Sequence, residues 1–395
     1  MLAQVKEKIN PMNPAAGRVI FGAPQALWVA VVVAYPVGII ISFITLLSSL
    51  VFERNGYSAT LNGICTSAGF FGALVGMLFL PFLSSRVATA RTVYTGIAIS
   101  CVCCVLSAAY FGAWTWIILR VILGVSFAAQ WVYSEAWIMS LAPPKKRTFF
   151  LGVYGAVVAF GYFSGPLLIG LLGSDHRLML LPAGLFFVVF LIVRGNRAIL
   201  PDLPMREAIF SRRLLKSMPM LAGLAFLAGA AEETPLALGA VWGLRNGWSE
   251  TLTVSALFAF ALGCALWQLP VGWVGDKLRP ARVLVFVLLS ACVLPLSLAL
   301  TDFEGAALFL VFLLWGGAVF SIYTLALAVL AERTRAQDIA RANGLYIVMF
   351  SAGVVAGPPV IGAAMEAGGP DWMLYCLSAM PLVFLAFWTA FRRRE

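Results

Sequence analysis

Charged residues are scarce in this chain of 395 residues, where Asp, Glu, Lys and Arg together make up 11%. An average soluble domain is about one quarter charged and less than half apolar. Here 62% of the residues are hydrophobic and the mean hydropathy is +0.96, which excludes a disordered chain. It also excludes a soluble enzyme, because a single soluble core stops growing at about 250–300 residues. One helical crossing of a bilayer takes roughly 20 residues, so the apolar residues suffice for about twelve crossings.

Histidine is almost absent as well, and the single His176 lies in a short loop. The sequence contains no HExxH, GxSxG or GK[ST] motif, so it lacks the usual catalytic motifs of hydrolases and of nucleotide-driven pumps. The cysteines lie inside apolar runs, where they are expected to be small buried hydrophobes rather than disulfides or metal ligands: Cys65, Cys101, Cys103, Cys104, Cys264, Cys292 and Cys376. We therefore expect no metal, no cofactor and no catalytic residues, and the protein is not expected to be an enzyme.

Apolar runs between charged residues and Gly or Pro breaks predict an all-α membrane protein of twelve transmembrane helices in two six-helix pseudo-symmetric bundles. The predicted spans cover residues 25–50, 60–83, 92–112, 114–138, 149–173, 178–194, 218–242, 252–275, 283–301, 305–331, 342–366 and 372–391. This gives an N-terminal segment (1–24), a first bundle (25–194), a linker (195–217), a second bundle (218–391) and a tail (392–395).

The basic residues are distributed unequally between the two sets of predicted loops. One set holds 23 of the 27 Lys and Arg residues, including both predicted terminal segments and the linker, whereas the opposite set holds only Arg54, Arg177 and Arg245. The positive-inside rule therefore predicts that both termini are cytoplasmic. The net charge of +10 then reflects topology and contact with anionic lipid headgroups, and nucleic acid is not an expected partner.

The two halves of the sequence repeat one another. Residues of the fifth span recur 192 positions later in the eleventh: Gly152, Tyr154, Gly161, Gly165, Pro166 and Gly170 recur as Gly344, Tyr346, Gly353, Gly357, Pro358 and Gly362. Gly124 recurs as Gly316, and Gly72 recurs as Gly263 at an offset of 191. Six spans intervene, so the repeats are parallel, and parallel repeats commonly rock about a shared site near the membrane midplane.

These motifs carry a family resemblance. Residues 272–282 match the loop signature G-x-x-x-D-[RK]-x-G-x-x-[RK] of the major facilitator superfamily except at Arg279, and residues 81–91 form a degraded first copy with Ser85 in place of the Asp. Arg120 and Gly124 resemble the R-x-x-x-G element of that family, and the fifth-span glycines resemble its antiporter motif. Residues 131–137, with Arg147 and the 152–154 stretch, are similar to its YcaD-like branch.

The resemblance implies a gating role for charges at the predicted cytoplasmic ends of the spans. Asp276, with Lys277 and Arg282, is expected to form a latch that pairs with cations while that side is closed, and Arg147 is a candidate partner across the two halves. In the first copy, Arg86 and Arg91 lack a carboxylate, which Glu135 is a candidate to supply. The alternative is that these charges only fix the orientation of the loops.

The glycines of the fifth and eleventh spans stand four residues apart before a Gly-Pro pair, at Gly161, Gly165 and Pro166 and at Gly353, Gly357 and Pro358. Small residues at this spacing allow two helices to approach closely, and the prolines allow a bend. Because the pattern occurs in both halves, tight packing between the halves is its commonest explanation. It does not by itself indicate an exporter.

Ionisable residues at membrane depth are costly and are functional candidates by default. Glu232 and Glu233 lie about 14 residues, or roughly 21 Å, into the seventh span, slightly past the midplane. Adjacent carboxylates in a low dielectric do not both ionise readily, so one of them is expected to carry a proton that couples transport to a proton gradient. Alternatively, one caps a helix broken at Pro235 and the other faces water. Arg120 is a candidate to bind an anion or to tune a carboxylate, or else it extends to the membrane surface.

Aromatic and amide side chains within the spans are candidates for a solute cavity, although each one singly is more often a packing or interface residue: Tyr35, Gln130, Trp131, Tyr133, Tyr154, Trp267, Gln268, Tyr323 and Tyr346. The set indicates an uncharged or amphipathic ring-bearing solute rather than a sugar or a multiply charged anion. Sugar sites need many polar partners, and phosphate sites usually show paired basic residues.

Together these features predict a secondary transporter that moves a small organic solute by alternating access, with proton coupling, as a monomer in the inner membrane of a bacterium. Two versions stay open: efflux of drugs or amphipathic metabolites, and uptake of a flat aromatic nutrient such as a vitamin or a nucleobase-like ring. A different class, a non-transporting membrane receptor on the same fold, would need no buried proton carrier.

Overall fold

The computed structural model describes residues 19–20, 23–143, 147–203, 218–267, 270–271, 274, 277–278, 280–333 and 339–392. A two-stranded antiparallel ribbon, β1 (Val19–Ile20) and β2 (Ala23–Pro24), precedes the first helix. The other regular elements of the described chain are helices. The helices are α1 (Gln25–Arg54), α2 (Ala59–Ser84), α3 (Thr89–Ala109), α4 (Ala113–Leu141), α5 (Arg147–Leu172), α6 (Leu180–Gly195), α7 (Pro219–Arg245), α8 (Glu250–Leu266), α9 (Pro280–Leu300), α10 (Gly305–Arg333), α11 (Ile339–Gly368) and α12 (Trp372–Arg392).

These twelve helices coincide with the predicted spans to within a few residues over most of their length. Ten are long and apolar enough to cross a membrane, and the apolar segments Glu250–Leu266 and Trp372–Ala386 are shorter. The eighth span was predicted to continue to residue 275, but α8 ends at Leu266. Beyond it, Val271 still donates to the Trp267 carbonyl at 3.0 Å, so helical hydrogen bonding resumes. The chain is a multi-pass membrane protein; its twelve crossings and the side of its termini stay predictions.

Two equivalent turns show how local sequence ends one helix and begins the next. After α1 and after α7 the chain reads Arg-Asn-Gly followed by an aromatic residue and Ser. Gly56 and Gly247 have φ values of 72° and 79°, a left-handed conformation that glycine adopts without strain. The hydroxyls of Ser58 and Ser249 then accept from the third amide of the next helix, both at 3.2 Å, as helix N-caps do.

Glycines that repeat between the halves mark four equivalent helix crossings. In the first half, α1 crosses α5 at Gly38 and Gly161, and α2 crosses α4 at Gly72 and Gly124. In the second half, α7 crosses α11 and α8 crosses α10 at the corresponding positions: Gly229, Gly353, Gly263 and Gly316. A Cβ at any of these glycines would stand within 2.6 Å of a backbone carbonyl oxygen of the facing helix. Glycine is therefore required for these backbones to approach so closely.

This geometry corrects the prediction that the Gly-Pro motifs pack the two halves together. Gly161 and Gly165 face α1, and Gly353 and Gly357 face α7, so each pair packs a helix within its own half. The repeat arises because each half contains the same crossing. Pro166 lies inside α5 as Pro358 does inside α11, and Pro358 does reach the other half.

The halves meet mainly where α2 packs on α11 and where α5 packs on α8. A Cβ on Gly63 would lie 2.5 Å from the Pro358 carbonyl, and one on Gly362 would lie 2.5 Å from the Ala59 carbonyl oxygen. Ser67 also donates to the Val354 carbonyl at 3.4 Å. These residues lie toward the ends of α2 and α11 that are near Arg245. We call this end of the protein the Arg245 end, and the two halves are closely packed there.

The opposite end, hereafter the Arg194 end, is held by contacts within the first half. Gln25 donates to Asn196 at 2.7 Å, and the Trp137 indole donates to the Pro201 carbonyl at 2.9 Å. Asp202 accepts from the Thr89 hydroxyl at 2.6 Å and from its amide at 2.8 Å. These bonds from Thr89 lower the pKa of the Asp202 carboxyl, and they fix the start of the linker to the first turn of α3.

Candidate functional site

The paired carboxylates of α7 lie inside the protein. Glu232 is 8% exposed and Glu233 is 1% exposed. One oxygen of Glu233, Oε2, has no hydrogen-bond partner among the described residues. A buried polar atom without a partner is costly and calls for a functional explanation. Neither residue faces open water as a helix cap would, because α7 continues unbroken through Pro235 to Arg245.

Arg120 of α4 is equally buried, at 5% exposure, and does not extend to the membrane surface. Its Nε donates to the Cys65 carbonyl of α2 at 3.3 Å, and its Nη2 donates to the Thr45 hydroxyl of α1 at 3.1 Å. The guanidinium and the Glu233 carboxylate are close enough to interact electrostatically. Because α4 belongs to the first half and α7 to the second, this interaction joins the two halves near the middle of the membrane.

A small pocket adjoins the guanidinium, between α1, α2 and α4. The α1 residues on its wall lie in or directly after a π-helical turn at Ile40–Ile44, a distortion that occurs frequently at functional sites. The lining is apolar apart from Thr45 and Arg120: Ile40, Ile41, Thr45, Gly69, Phe70, Arg120, Leu123, Gly124 and Phe127.

Tyr162 of α5 is a part of this site that the sequence reasoning missed. It is 4% exposed, and its hydroxyl has no hydrogen-bond partner among the described residues. The hydroxyl interacts electrostatically with both Glu232 and Glu233. Its ring contacts Phe320 of α10 with centroids 5.9 Å apart. The available signal was a lone tyrosine next to Gly161 in the glycine motif, at the depth of the acidic pair.

Three of the predicted cavity tyrosines, Tyr154, Tyr323 and Tyr346, interact with one another, and two of them also interact with Glu232. The rings of Tyr323 and Tyr346 meet edge to face at 5.1 Å, and the Tyr346 hydroxyl donates to the Tyr323 carbonyl at 3.5 Å. Both tyrosines interact electrostatically with Glu232. Tyr154 accepts a 3.4 Å hydrogen bond from Ser134, next to Glu135.

Glu135, the candidate carboxylate of the first-half latch, is partly buried and interacts with Tyr154 and Tyr323. Its role in a latch stays a prediction. Its helix, α4, carries Arg120, Phe127, Trp131 and Glu135 at helical spacing on one side. At 1.5 Å per residue, Arg120 and Glu135 are separated by about 22 Å along the axis. Glu135 therefore lies toward the Arg194 end of the same face on which Arg120 lies.

The other predicted cavity residues lie elsewhere. Gln130 donates to Ser100 of α3 at 3.0 Å, Tyr133 packs on Trp137 with centroids 6.5 Å apart, and Tyr35 pairs with Ser164 at 3.1 Å. Each of these contacts is internal to the first half. Trp131 packs on Phe127, while Trp267 packs on Gly317 of α10. Gln268 lies outside the described residues.

The predicted gating latch is only partly within the described chain. Asp276 and the side chain of Arg147 lie outside the described residues. Arg86, Arg91, Lys277 and Arg282 are exposed, and Arg86 stacks over Phe82 at 4.1 Å. The latch stays a prediction.

A charged network closes the Arg245 end, where the sequence analysis had seen only loop charges. Arg245 of α7 donates to both oxygens of Glu53, at 2.8 and 3.2 Å, and to Glu366 of α11 at 2.9 Å. Glu366 also accepts from the Ala59 amide of the other half at 2.6 Å. Arg245, a basic residue of the sparsely charged loop set, therefore links the halves.

A second bridge stands beside it. Arg54 of the first half pairs with Glu250 of the second, and Ser174 donates to the same carboxylate. Arg54 also donates to the Ser174 carbonyl at 3.4 Å. Arg54 and Arg245 occupy equivalent positions in the two Arg-Asn-Gly turns, so the repeat supplies one arginine to each bridge.

A sequence model described as Major Facilitator Superfamily matches residues 26–316 and 221–395, which together span nearly the entire chain. The chain belongs to this superfamily. It is 25% identical to an "Uncharacterized MFS-type transporter YcaD" of Salmonella arizonae over 82% of this chain and 84% of that protein. It is 24% identical to an "Uncharacterized MFS-type transporter YfkF" of Bacillus subtilis, over 80% and 83% respectively. The predicted likeness to the YcaD-like branch is confirmed.

Solved structures of the superfamily share the fold. A mutant of the nucleoside transporter NupG superposes with a TM-score of 0.78 at 14% identity, covering 93% of this chain and 99% of that one. A bacterial homologue of the human lysosomal transporter Spinster, inward-facing and unoccupied, gives 0.72 at 15% identity, covering 93% and 95%. At these identities the likeness concerns the fold alone.

Proposed function

We propose that this protein is a proton-coupled secondary transporter of a small ring-bearing organic solute, working by alternating access in a bacterial inner membrane. The observation that carries the proposal is the pair Glu232 and Glu233. It is buried at mid-membrane, has one oxygen without a partner among the described residues, and interacts with Arg120 of the opposite half. A carboxylate at this position that gains and loses a proton changes the electrostatic interaction between the two halves.

Low dielectric is the physical reason for proton coupling. Two adjacent carboxylates removed from water repel one another, and a single guanidinium offsets only one of the two charges. The other carboxyl group is most stable when it carries a proton or faces a cation. Buried ionisable side chains are retained in membrane segments chiefly where they serve transport or proton transfer.

The orientation proposed here places the Arg245 end outside the cell, as the positive-inside rule predicts. The two bridges at Arg54 and Arg245 then close the extracellular side. The two relatives named above come from bacteria, in accord with the proposed location.

Cell-based flux measurements test the coupling. [³H]Uridine, chosen because NupG is titled a nucleoside transporter, and ethidium are followed in cells with and without the gene, with and without a protonophore. We expect flux of at least one probe to depend on the proton gradient and to fall at least tenfold in the double variant Glu232→Gln, Glu233→Gln.

Glu304→Gln is the matched control, since Glu304 is an exposed glutamate in the loop before α10. It should transport as the wild type does. A double variant that carries the probe at the wild-type rate, with no effect of the protonophore, would refute proton coupling by this pair. Absence of flux for these and a wider set of neutral and charged ring compounds would favour the receptor alternative.

A further inference from the structure

Helices α3 and α6 of the first half pack side by side and run in opposite directions, and two contacts fix their register. The rings of Tyr94 and Phe190 meet edge to face with centroids 6.1 Å apart, and the Cys101 thiol donates to the Ala183 carbonyl at 3.3 Å. Each helix advances seven residues between these contacts. We call this line of contact the α3–α6 interface.

The register brings two arginines to the same level at the Arg194 end of this interface. Arg91 precedes Tyr94 by three residues and Arg194 follows Phe190 by four, so each stands roughly 4.5–6 Å beyond the ring contact. The axes of packed helices lie about 8–10 Å apart, which leaves two arginine side chains able to contact one small anionic group. The Arg194 guanidinium lies over the Phe190 ring, 5.8 Å from its centroid, an attraction that orients it.

Both guanidinium groups lack a carboxylate partner in the part of the chain that the structure describes. Arg91 and Arg194 are exposed, and no ion pair engages either of them there. Asp202, which reaches the start of α3, accepts instead from the hydroxyl and the amide of Thr89. Arg197 follows Arg194 after one turn and is likewise exposed. Among the described residues, this corner of the protein therefore carries an excess of positive charge.

Beyond the arginines, toward the Arg245 end, the outer surface of the interface is apolar. Its exposed side chains are Ile99, Val102 and Leu106 of α3 and Phe187, Val188 and Leu191 of α6. On a chain that crosses the membrane, such a surface faces lipid acyl chains. A phospholipid carries its phosphate where the acyl chains end, so both the charge and the apolar surface match an anionic phospholipid.

The second half contains the equivalent crossing without the aromatic contact. α9 packs on α12 as α3 packs on α6. Arg282 stands where the repeat places Arg91, at the offset of 191, but Val285 replaces Tyr94. Both arginines are exposed, so diffuse attraction to anionic headgroups acts on both alike.

The second arginine of the pair is also missing from the second half. Gly173 and Gly369, each with a positive φ, precede α6 and α12 at an offset of 196. At that offset, Ala390 of α12 takes the place of Arg194. Two arginines at one level, one of them held over a ring, therefore distinguish the α3–α6 interface from its repeat.

We propose that the α3–α6 interface binds one anionic phospholipid, whose phosphate lies between Arg91 and Arg194 and whose acyl chain follows the exposed apolar side chains. An arginine binds a phosphate through parallel N–H donors, so two arginines hold one phosphate more tightly than one arginine does. The site does not depend on what the protein transports or on proton coupling, so its failure would leave the proposed function untouched.

Native mass spectrometry of the purified, delipidated full-length chain in detergent tests the proposal. The probes are phosphatidylglycerol and phosphatidylcholine with the same acyl chains, and glycerol 3-phosphate as a headgroup without chains. One phosphatidylglycerol per chain should bind with an affinity about tenfold or more above that of phosphatidylcholine. Glycerol 3-phosphate should bind far more weakly, because it has no apolar surface to bury. Equal affinities for the two lipids would overturn the proposal, and so would glycerol 3-phosphate binding as tightly as phosphatidylglycerol.

Variants assign the site to this interface. The double variant Arg91→Gln, Arg194→Gln should lower the affinity for phosphatidylglycerol by about tenfold or more, and Phe190→Leu should lower it severalfold because the guanidinium loses its ring. Arg282→Gln is the matched control, since it removes one exposed arginine at the equivalent position of the repeat; lipid binding should stay at the wild-type level. A loss in Arg282→Gln as large as that in the double variant would show diffuse attraction only and refute the site.

Cross-linking in the unaltered protein decides the matter if a variant fails to fold. A photoactivatable phosphatidylglycerol in detergent micelles should label residues 91–106 and 180–197 in preference to residues 282–297 and 376–392. Excess phosphatidylglycerol should suppress this labelling, whereas excess phosphatidylcholine should not. Equal labelling of the two interfaces, or equal suppression by both lipids, would contradict the proposal.

Discussion

The crossing of α8 and α10 at Gly263 gives a direct test of the packing. An alanine Cβ at this position would stand 1.9 Å from the Leu313 carbonyl oxygen, 2.8 Å from its carbon and 3.0 Å from its Cα. All three are backbone atoms, so no side-chain rotation relieves the contact, and the helices must separate by about 1 Å or more. Overpacking of this kind costs about 1–3 kcal/mol, and the upper part of that range is expected here.

Gly155→Ala is the matched control, because a Cβ on Gly155 of α5 would meet nothing within 4 Å. Alanine there gains at most about 1 kcal/mol of helix propensity, a gain that also offsets part of the cost at Gly263. The two variants should therefore differ by about 2–3 kcal/mol in the free energy of unfolding. At about 2–4 °C per kcal/mol for chains of a few hundred residues, their melting temperatures should differ by about 5 °C or more.

Thermal unfolding of both variants in the same detergent, followed by tryptophan fluorescence and by size-exclusion chromatography, gives the measurement. Gly263→Ala should melt below the wild type, and Gly155→Ala should melt at or slightly above it. Equal melting temperatures, or a lower one for Gly155→Ala, would show that α8 and α10 do not approach as closely as described. The argument about the repeated glycines would then fail in both halves.

Two further outcomes follow from charges outside the membrane core. Arg245→Ala should open the Arg245 end, and the amides of the 55–58 loop should then exchange hydrogen for deuterium faster than in the wild type. Arg177→Ala, at an exposed arginine, is the control and should leave that exchange unchanged. Equal exchange in both variants would argue against a gate. Asp202→Asn should lower the melting temperature at pH 7. Because the folded pKa of Asp202 lies below its usual value, the wild-type advantage should shrink as pH falls from about 4 through that lowered pKa; an advantage that does not shrink below about pH 4 would contradict this.

Most of the helical architecture could be predicted from the sequence, because the bilayer allows few alternatives. A spanning segment must satisfy its own backbone hydrogen bonds, so long apolar runs become helices. The predicted and observed bounds differ most at the eighth span, which was predicted to reach residue 275, whereas α8 ends at Leu266. Part of the chain between Trp267 and residue 275 lies outside the described residues.

The sequence could not predict which helices the repeated glycines contact. Their spacing shows that one side of a helix carries small residues, but it does not show which neighbouring helix packs against that side. Gly161 was expected to pack against the other half and instead packs against α1. Once it is known that Gly353 packs against α7 in the same way, the repeat itself becomes the explanation, since two copies of one fold contain two copies of each internal crossing.

The candidate site was partly predictable because charge at membrane depth is rare. That rarity singled out Glu232, Glu233 and Arg120, and the structure brings Glu233 and Arg120 together. It gave no weight to Tyr162, because a tyrosine in an apolar run is unremarkable until its hydroxyl proves to be buried without a partner. Arg245 was read as a topological charge because its three oxygen partners lie on two distant parts of the chain.

The adjacency of the two glutamates has a consequence for coupling. Successive residues of an α-helix point about 100° apart, so the two carboxylates do not share all their neighbours. Glu232 interacts with Cys264, Tyr323 and Tyr346, which move with its own half. Glu233 interacts with Arg120 of the opposite half. Rocking of one half against the other must therefore change the interaction between Glu233 and Arg120 while leaving Cys264, Tyr323 and Tyr346 beside Glu232, and repulsion between the neighbouring carboxylates transmits that change to Glu232.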